Sequence, residues 1–193
     1  KNLQDEKINS FFRFYNWTTT SVTQSVNREL VDEFIHIDHS YRVTGGGLVF
    51  HCPRDIVFSM GNVVKHDVLP HKLKERCQWL ADFLTSCLQN LNVDVHVIGE
   101  IETKNQNINF CSSYHNPYEV VLGSDKVIGL ALKKTRHSIV FQGVIHMSKT
   151  ANYFKDLVKY EQYFTNGILS NAKVEPFEIC DEIQKQLIHL KLI

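Results

Sequence analysis

The sequence predicts an α+β domain built on a mixed, mostly antiparallel sheet flanked by helices. Three observations carry this. Strand-like segments outnumber helical ones, they tend to fall in adjacent pairs, and one long amphipathic helix interrupts the run. A doubly wound α/β fold would instead alternate single strands with single helices.

Taken in order, Phe11-Phe12-Arg13-Phe14-Tyr15 is aromatic and partly alternating, which reads as a strand. Asn27 to Ile35 has helical spacing in Leu30, Val31 and Phe34. Leu48-Val49-Phe50 and Ile56-Val57-Phe58 read as two strands joined by a turn at Cys52-Pro53-Arg54-Asp55. The clearest helix runs from Leu69 to Leu91. Its Leu69, Leu73, Cys77, Leu80, Leu84, Leu88 and Leu91 recur at threes and fours on one face, and Pro70 suits a first turn. Val93 to Ile98 alternates strictly and reads as a half-buried strand. Tyr118 to Leu122, Lys126 to Leu132 and Ser138 to Met147 follow as strands, the first two joined by a hairpin at Gly123-Ser124-Asp125. Asn152 to Tyr163 and Glu178 to Leu190 read as helices, the latter through Ile179, Ile183, Leu187 and Leu190.

The 193 residues suit a single domain spanning 1–193, and neither the four prolines nor any Gly/Ser linker marks a boundary. Lys+Arg and Asp+Glu each number 21, so no basic excess argues for nucleic acid. No apolar run approaches the ~20 residues of a membrane helix, and no signal peptide is visible after Lys1. The chain does not open on Met, which leaves a trimmed leader open. Cys52, Cys77, Cys87, Cys111 and Cys180 are odd in number and irregularly spaced, which is neither a disulfide framework nor a zinc pattern. A reducing, cytoplasmic setting and no metal site are therefore expected.

Three segments carry candidate chemistry. In Arg42-Val43-Thr44-Gly45-Gly46-Gly47-Leu48-Val49-Phe50-His51, consecutive glycines allow a tight bend or close approach to a ligand, and exposed N–H groups there can hold an anion. Arg42 would add a bidentate partner for the same anion. The plainer reading is a hairpin turn beside a surface arginine; the segment is neither a Walker loop nor a dinucleotide fingerprint. In Asp125-Lys126-Val127-Ile128-Gly129-Leu130-Ala131, regular alternation puts Lys126, Ile128 and Leu130 on one face and Val127, Gly129 and Ala131 on the other. Lys126 is then either a ligand-reaching cation or a solvent lysine flanking a core strand. Cys111 becomes a nucleophile only if a nearby cation or base favours its thiolate; otherwise it is a small core residue. Cys77 and Cys87 read as structural, and Cys52 as a weaker alternative thiol. Among ten histidines, His51 stands out by its place after the glycines, while His115, His137 and His146 suit pocket or surface. No GxSxG elbow is present.

Together these segments resemble the lipoate–protein ligase family, within the group that includes octanoyltransferases and biotin protein ligases. RVTGGGLVFH (Arg42 to His51) looks like the family's Arg-x-Ser/Thr-Gly-Gly-Gly-x-Val-x-His segment, and KVIGLA (Lys126 to Ala131) like its lysine strand. Arg13-Phe14-Tyr15-Asn16-Trp17 is similar to an upstream family strand, and Asp5-Glu6 to its early acidic pair. The resemblance covers about residues 2 to 147. It implies that Gly45, Gly46, Gly47, Gly129 and Ala131 line a pocket for a medium-chain acyl group, with Arg42 and His51 beside it. It implies that Lys126 holds the acyl carbonyl or phosphate oxygen. The implied partner is a lipoyl carrier domain of a 2-oxoacid dehydrogenase or the glycine cleavage H protein.

Departures are Tyr41 for a second arginine, Cys52 for an aspartate, Leu130 for a small serine and Gln142 for a histidine. About 45 residues follow the last matched strand, too few for the accessory domain that some ligases carry fused or separate. The first expectation is an ATP- and Mg2+-using lipoate ligase that forms lipoyl-AMP. The second is a cysteine-dependent transferase needing no cofactor, because Cys111 precedes Pro117-Tyr118-Glu119 much as that subfamily's nucleophile does. The third is a degenerate, non-catalytic module. The run expected of biotin ligases is absent.

Overall fold

The computed structural model describes residues 8–99, 109–113 and 116–193. The Asp5-Glu6 pair and His115 lie outside them. Among the described residues, nine strands form two sheets. The larger has six: β1 (Ser10–Tyr15), β5 (Ile56–Val63), β9 (Ser138–Ile145), β8 (Asp125–Lys134), β7 (Val120–Leu122) and β6 (His96–Val97), neighbours in that order and antiparallel throughout. The smaller has β2 (Ser21–Ser25) at its centre, parallel to β3 (Asp38–Arg42) and antiparallel to β4 (Val49–His51). This is the α+β, largely antiparallel architecture the sequence predicts.

One face of the large sheet is greasy because its strands alternate. Ile56, Phe58 and Met60 of β5 and Ile139 and Phe141 of β9 point to the same side. Two helices cover that side. Helix α1 (Leu73–Asn90) buries Cys77, Leu80, Leu84, Cys87 and Leu88, and α2 (Pro176–His189) buries Ile179, Ile183 and Leu187. Pro176 fits the first turn of α2, where its missing N–H costs nothing, and Glu178 accepts from the Glu175 N–H at 2.8 Å. A second, aromatic core beneath the small sheet joins Phe34, Phe50, Phe110 and Phe154.

Several expectations shift. Helix α1 starts at Leu73, not Leu69, because the buried Arg76 guanidinium donates to the carbonyls of Val63, Val64 and Pro70 and holds the preceding segment extended. Asn27 to Ile35 yields only a 3-10 turn at Asp32–Phe34: Phe34 is buried, but Val31 and Ile35 are half exposed, so no apolar stripe exists to dock a helix. Residues Lys155–Tyr163 form 3-10 structure broken at Leu157, with no buried side chain. The β4 and β5 strands are joined by the expected turn but do not pair. That turn carries the chain from the small sheet to the large one. Strands β2 and β3 had no apolar signature and went unpredicted.

The face regularity expected for Lys126 to Ala131 also fails. Val120 pairs with Ile128, yet Val121 pairs with Lys126, so β8 carries one extra residue there. Such a bulge flips the alternation. Lys126 thereby shares a face with Gly129 and Ala131, while Val127 and Ile128 are buried in the core with the helices and Leu130 packs against it at the cavity's edge.

Candidate functional site

The bulged strand, the glycine segment and the Cys111 segment converge between the two sheets. Val57, Val144 and Gly129 stand in register across β5, β9 and β8 on the face away from the helices. Thr23, Val49 and His51 of the small sheet face them across a narrow cavity of about 60 Å³. A second cavity of about 350 Å³ lies along β8 beyond the end of β7, bordered by Gly45, Gly46 and Pro117. Cys111, Leu130 and Ala131 border both.

Arg42 ends β3 and turns back on its own loop. Its Nη1 donates to the Thr23 carbonyl at 2.9 Å, and its Nη2 donates to the carbonyls of Gly45, at 3.2 Å, and Gly47. The guanidinium therefore clips the glycine segment into shape. Gly46 has φ 102°, and a Cβ there would sit 3.0 Å from Arg42 Nη2, so both conformation and space require glycine. Gly45 has open space around its Cα, and Gly47 contributes its carbonyl rather than a wall.

Leu48 ties the glycine segment to the cysteine: its N–H donates to the Asn109 carbonyl at 2.7 Å, and its carbonyl accepts from the Cys111 N–H at 2.9 Å. Cys111 is 9% exposed, and its Sγ lies 3.7 Å from where a Gly46 Cβ would be. Lys126 Nζ donates to the Cys111 carbonyl at 2.9 Å and pairs with Glu119 at 2.6 Å. The Lys126 side chain runs over Gly129, whose Cβ would meet Lys126 Cε at 3.3 Å. Glu119 is fully buried and also accepts from the Asn116 N–H at 3.0 Å. Tyr118, just before it, has φ 76°, a strained value for a bulky residue.

His51 Nε2 lies 2.8 Å from Thr23 Oγ1. Burial, outweighing the favourable field of Asp55, pushes its pKa down to about 3, so it is neutral. Asp55 is fully buried; it accepts from the N–H groups of Cys52 (3.1 Å), Met147 (2.8 Å) and Ser148 (3.1 Å), and its Oδ2 lies 3.5 Å from His146 Nδ1. Gln142 accepts from Thr44 Oγ1 at 3.0 Å.

Six of the residues singled out from sequence thus line the main cavity: Arg42, His51, Cys111, Lys126, Gly129 and Ala131. Burial raises the thiol pKa of Cys77 and, to about 12, of Cys87, which fits their structural reading. Cys52 is raised by burial and by Asp55, which argues against it as a thiolate. His137 is exposed. Sequence reasoning passed over Glu119, although it noted the Tyr-Glu pair, and never reached Asp55, which has no motif of its own. Among the described residues, no cluster of three or more His, Cys, Asp or Glu could hold a metal, and no helix is long and apolar enough to cross a membrane.

An antiparallel sheet backed by two helices, with a cavity between a glycine-rich loop and a lysine strand, is the architecture of the lipoate–protein ligase fold. The chain matches the lipoyl protein ligase A/B catalytic domain over residues 1–184, and belongs to that family. No curated protein matches it significantly. Among solved structures, a lipoate-protein ligase A bound with ATP superposes with TM-score 0.72 at 17% identity, covering 100% of this chain and 78% of that one. The bipartite lipoate protein ligase of Thermoplasma acidophilum, described with its E2 lipoyl domain, gives 0.67 at 15%, covering 100% and 76%. LipL1 of P. falciparum in complex with lipoate gives 0.62 at 15%, covering 95% and 48%.

Proposed function

We propose that this chain is an acyltransferase that takes an octanoyl- or lipoyl-sized group as a thioester on Cys111 and passes it to a lysine of a lipoyl carrier domain. The observation that carries the reading is the position of Cys111. It borders both cavities, beside the Lys126 ammonium and against the glycine loop. The cations on the main cavity wall are both engaged. Lys126 is held by Glu119 and Arg42 by loop carbonyls, which suits stabilising a carbonyl oxygen better than gathering a triphosphate. The apolar row of Val57, Val144 and Gly129 would take the acyl chain.

A second reading, ATP-dependent lipoate ligation, is favoured by the second cavity beside Gly45, which offers room next to exposed backbone for a nucleotide. In that reading Lys126 and Arg42 would have to release their present partners to meet lipoyl-AMP.

The deciding experiment offers an apo carrier domain to the protein in two mixtures, octanoyl carrier protein without ATP and lipoate with MgATP, and follows intact mass. The thioester reading expects modification in the first mixture, together with a hydroxylamine-sensitive acyl-enzyme that Cys111→Ala abolishes. Modification confined to the second mixture, or an acyl-enzyme yield unchanged in Cys111→Ala, would overturn it in favour of the ligase.

A further inference from the structure

Cations and anions balance over the whole chain, 21 of each, yet the β8–β9 hairpin gathers cations alone. Lys133 and Lys134 end β8, Arg136 and His137 lie in the turn, and all four residues are exposed. The Val64 N–H donates to the His137 carbonyl at 2.8 Å, which brings the exposed Lys65 alongside. Among the described residues, none of Lys65, Lys133, Lys134 and Arg136 has an ion-pair partner, and the acid nearest to any of them in sequence is Asp67. Like charges gathered without counterions add nothing to the stability of the hairpin. They suit an acidic partner, whose approach they would steer.

The second cavity points to what that partner carries. It borders Cys111, follows β8 past Leu130 and Ala131, and reaches Leu132 and Phe141. Those last two are register partners, and the next pair is Lys133 with Val140. The cavity thus ends one residue short of the basic hairpin. Among the described residues, no strand flanks β8 on this edge beyond Ile128, the last residue that β7 reaches. Backbone groups along such an edge can pair with amides laid beside them.

A phosphopantetheine arm has the matching chemistry and length. Two amides lie between its sulfur and its phosphate, along a path of about thirteen bonds, which is about four residues' worth of backbone or roughly 15 Å when extended. At about 3.3 Å per strand residue, the same distance leads from Ala131, which borders the cavity together with Cys111, to the turn at 135–137. The acceptor lysine of a lipoyl carrier domain has only a four-carbon stem and does not span this distance. The hairpin therefore suits the donor and not the acceptor.

We propose that the β8–β9 hairpin, through Lys65, Lys133, Lys134 and Arg136, is the docking surface for an acidic acyl donor protein whose phosphopantetheine arm lies in the second cavity; the proposal rests on the Cys111 thioester reading. Loading exchanges one thioester for another. Cys111 Sγ bonds the acyl carbon, the bond to the arm's sulfur breaks, and the proton of the Cys111 thiol ends on the departing thiol.

The test compares donors on the intact protein. The variant Lys133→Glu/Lys134→Glu/Arg136→Glu reverses the charge of the exposed hairpin. Formation of acyl-Cys111 is timed by intact mass with octanoyl carrier protein and, separately, with octanoyl-pantetheine, which has neither the protein nor the phosphate. At low ionic strength, loading from the carrier protein should fall at least about 10-fold in the variant. Loading from octanoyl-pantetheine, and transfer from preloaded enzyme to apo carrier domain, should stay unchanged, which also shows that the variant is folded. Added salt should slow loading of the unaltered protein from the carrier protein but not loading of the variant. An unaltered rate with the carrier protein overturns the proposal. So does an equal loss with octanoyl-pantetheine, which would make the hairpin structural. Slowed transfer with loading intact overturns it too, by assigning the hairpin to the acceptor. If the unaltered protein forms no Cys111 acyl-enzyme from either donor, the thioester reading itself fails, and that result precedes any variant.

Discussion

The Lys126–Glu119 pair makes a demanding prediction, because both side chains are almost fully enclosed, at 5% and 1% exposure, and their charged atoms are 2.6 Å apart. Glu119→Gln keeps the shape and an acceptor oxygen but removes the charge. At an effective dielectric of about 20, two unit charges at this distance attract by roughly 6 kcal/mol. Gln would still accept one hydrogen bond from Nζ, which offsets part of this. Removing one partner of a buried pair typically costs about 3–5 kcal/mol, since the remaining charge stays buried without its counterion. We therefore expect Glu119→Gln to lose about 3–5 kcal/mol by urea denaturation at neutral pH, with the m-value unchanged. Adding Lys126→Met to it should recover most of the loss, because the stranded charge is then gone. A single-variant loss below about 1 kcal/mol would refute the reasoning, and would mean that Lys126 reaches solvent or another acceptor in the native ensemble.

Three further predictions are simpler. Arg76→Met should destabilise by about 3 kcal/mol or more in the same assay, since a fully buried guanidinium that satisfies the carbonyls of Val63, Val64 and Pro70 would leave them without a donor. Gly143→Ala should lower the melting temperature and stability by at least about 1–3 kcal/mol, because its Cβ would sit 2.3 Å from the Phe58 ring and 3.0 Å from the Gly129 carbonyl; an unchanged melt would contradict the packing. His51, held near pKa 3 against an ordinary 6.5, takes up its proton more readily when unfolded, so its contribution is present above pH 6.5 and lost as pH falls toward 3. That amounts to roughly 3 kcal/mol between pH 7 and 4, and His51→Gln should show a correspondingly flatter stability profile over that interval.

How much of this was legible in the sequence depended on whether a residue's role left a local pattern. Helix α1 was legible because its leucines recur at helical spacing, and β9 because it runs apolar between turn residues. Strands β2 and β3 were not: SVTQS and DHSYR have little apolar content, and they are strands because β2 finds hydrogen-bonding neighbours on both sides. The helix expected at Asn27 to Ile35 failed for the converse reason, a plausible spacing with only Phe34 to bury. At the site, the glycine loop and the lysine strand were visible as segments. The side chains that hold them were not. Glu119 and Asp55 act on partners outside their own segments, Glu119 on Lys126 of the next strand and Asp55 on Met147 and Ser148 just past the end of β9.

The bulge in β8 shows why a short motif can carry more geometry than its letters suggest. On a regular strand Lys126 and Gly129 would lie on opposite faces, and the spacing of lysine and glycine would have no structural meaning. One inserted residue brings them to the same face, and the lysine's Cε then occupies the space a Gly129 side chain would need. The glycine is thus a vacancy for the lysine. From there the ammonium reaches both Glu119 and the Cys111 carbonyl, which neutralises it and anchors the cysteine segment at once. Arg42 does the same for the glycine loop from the other side. Both cations of the cavity are therefore consumed in holding the backbone around Cys111.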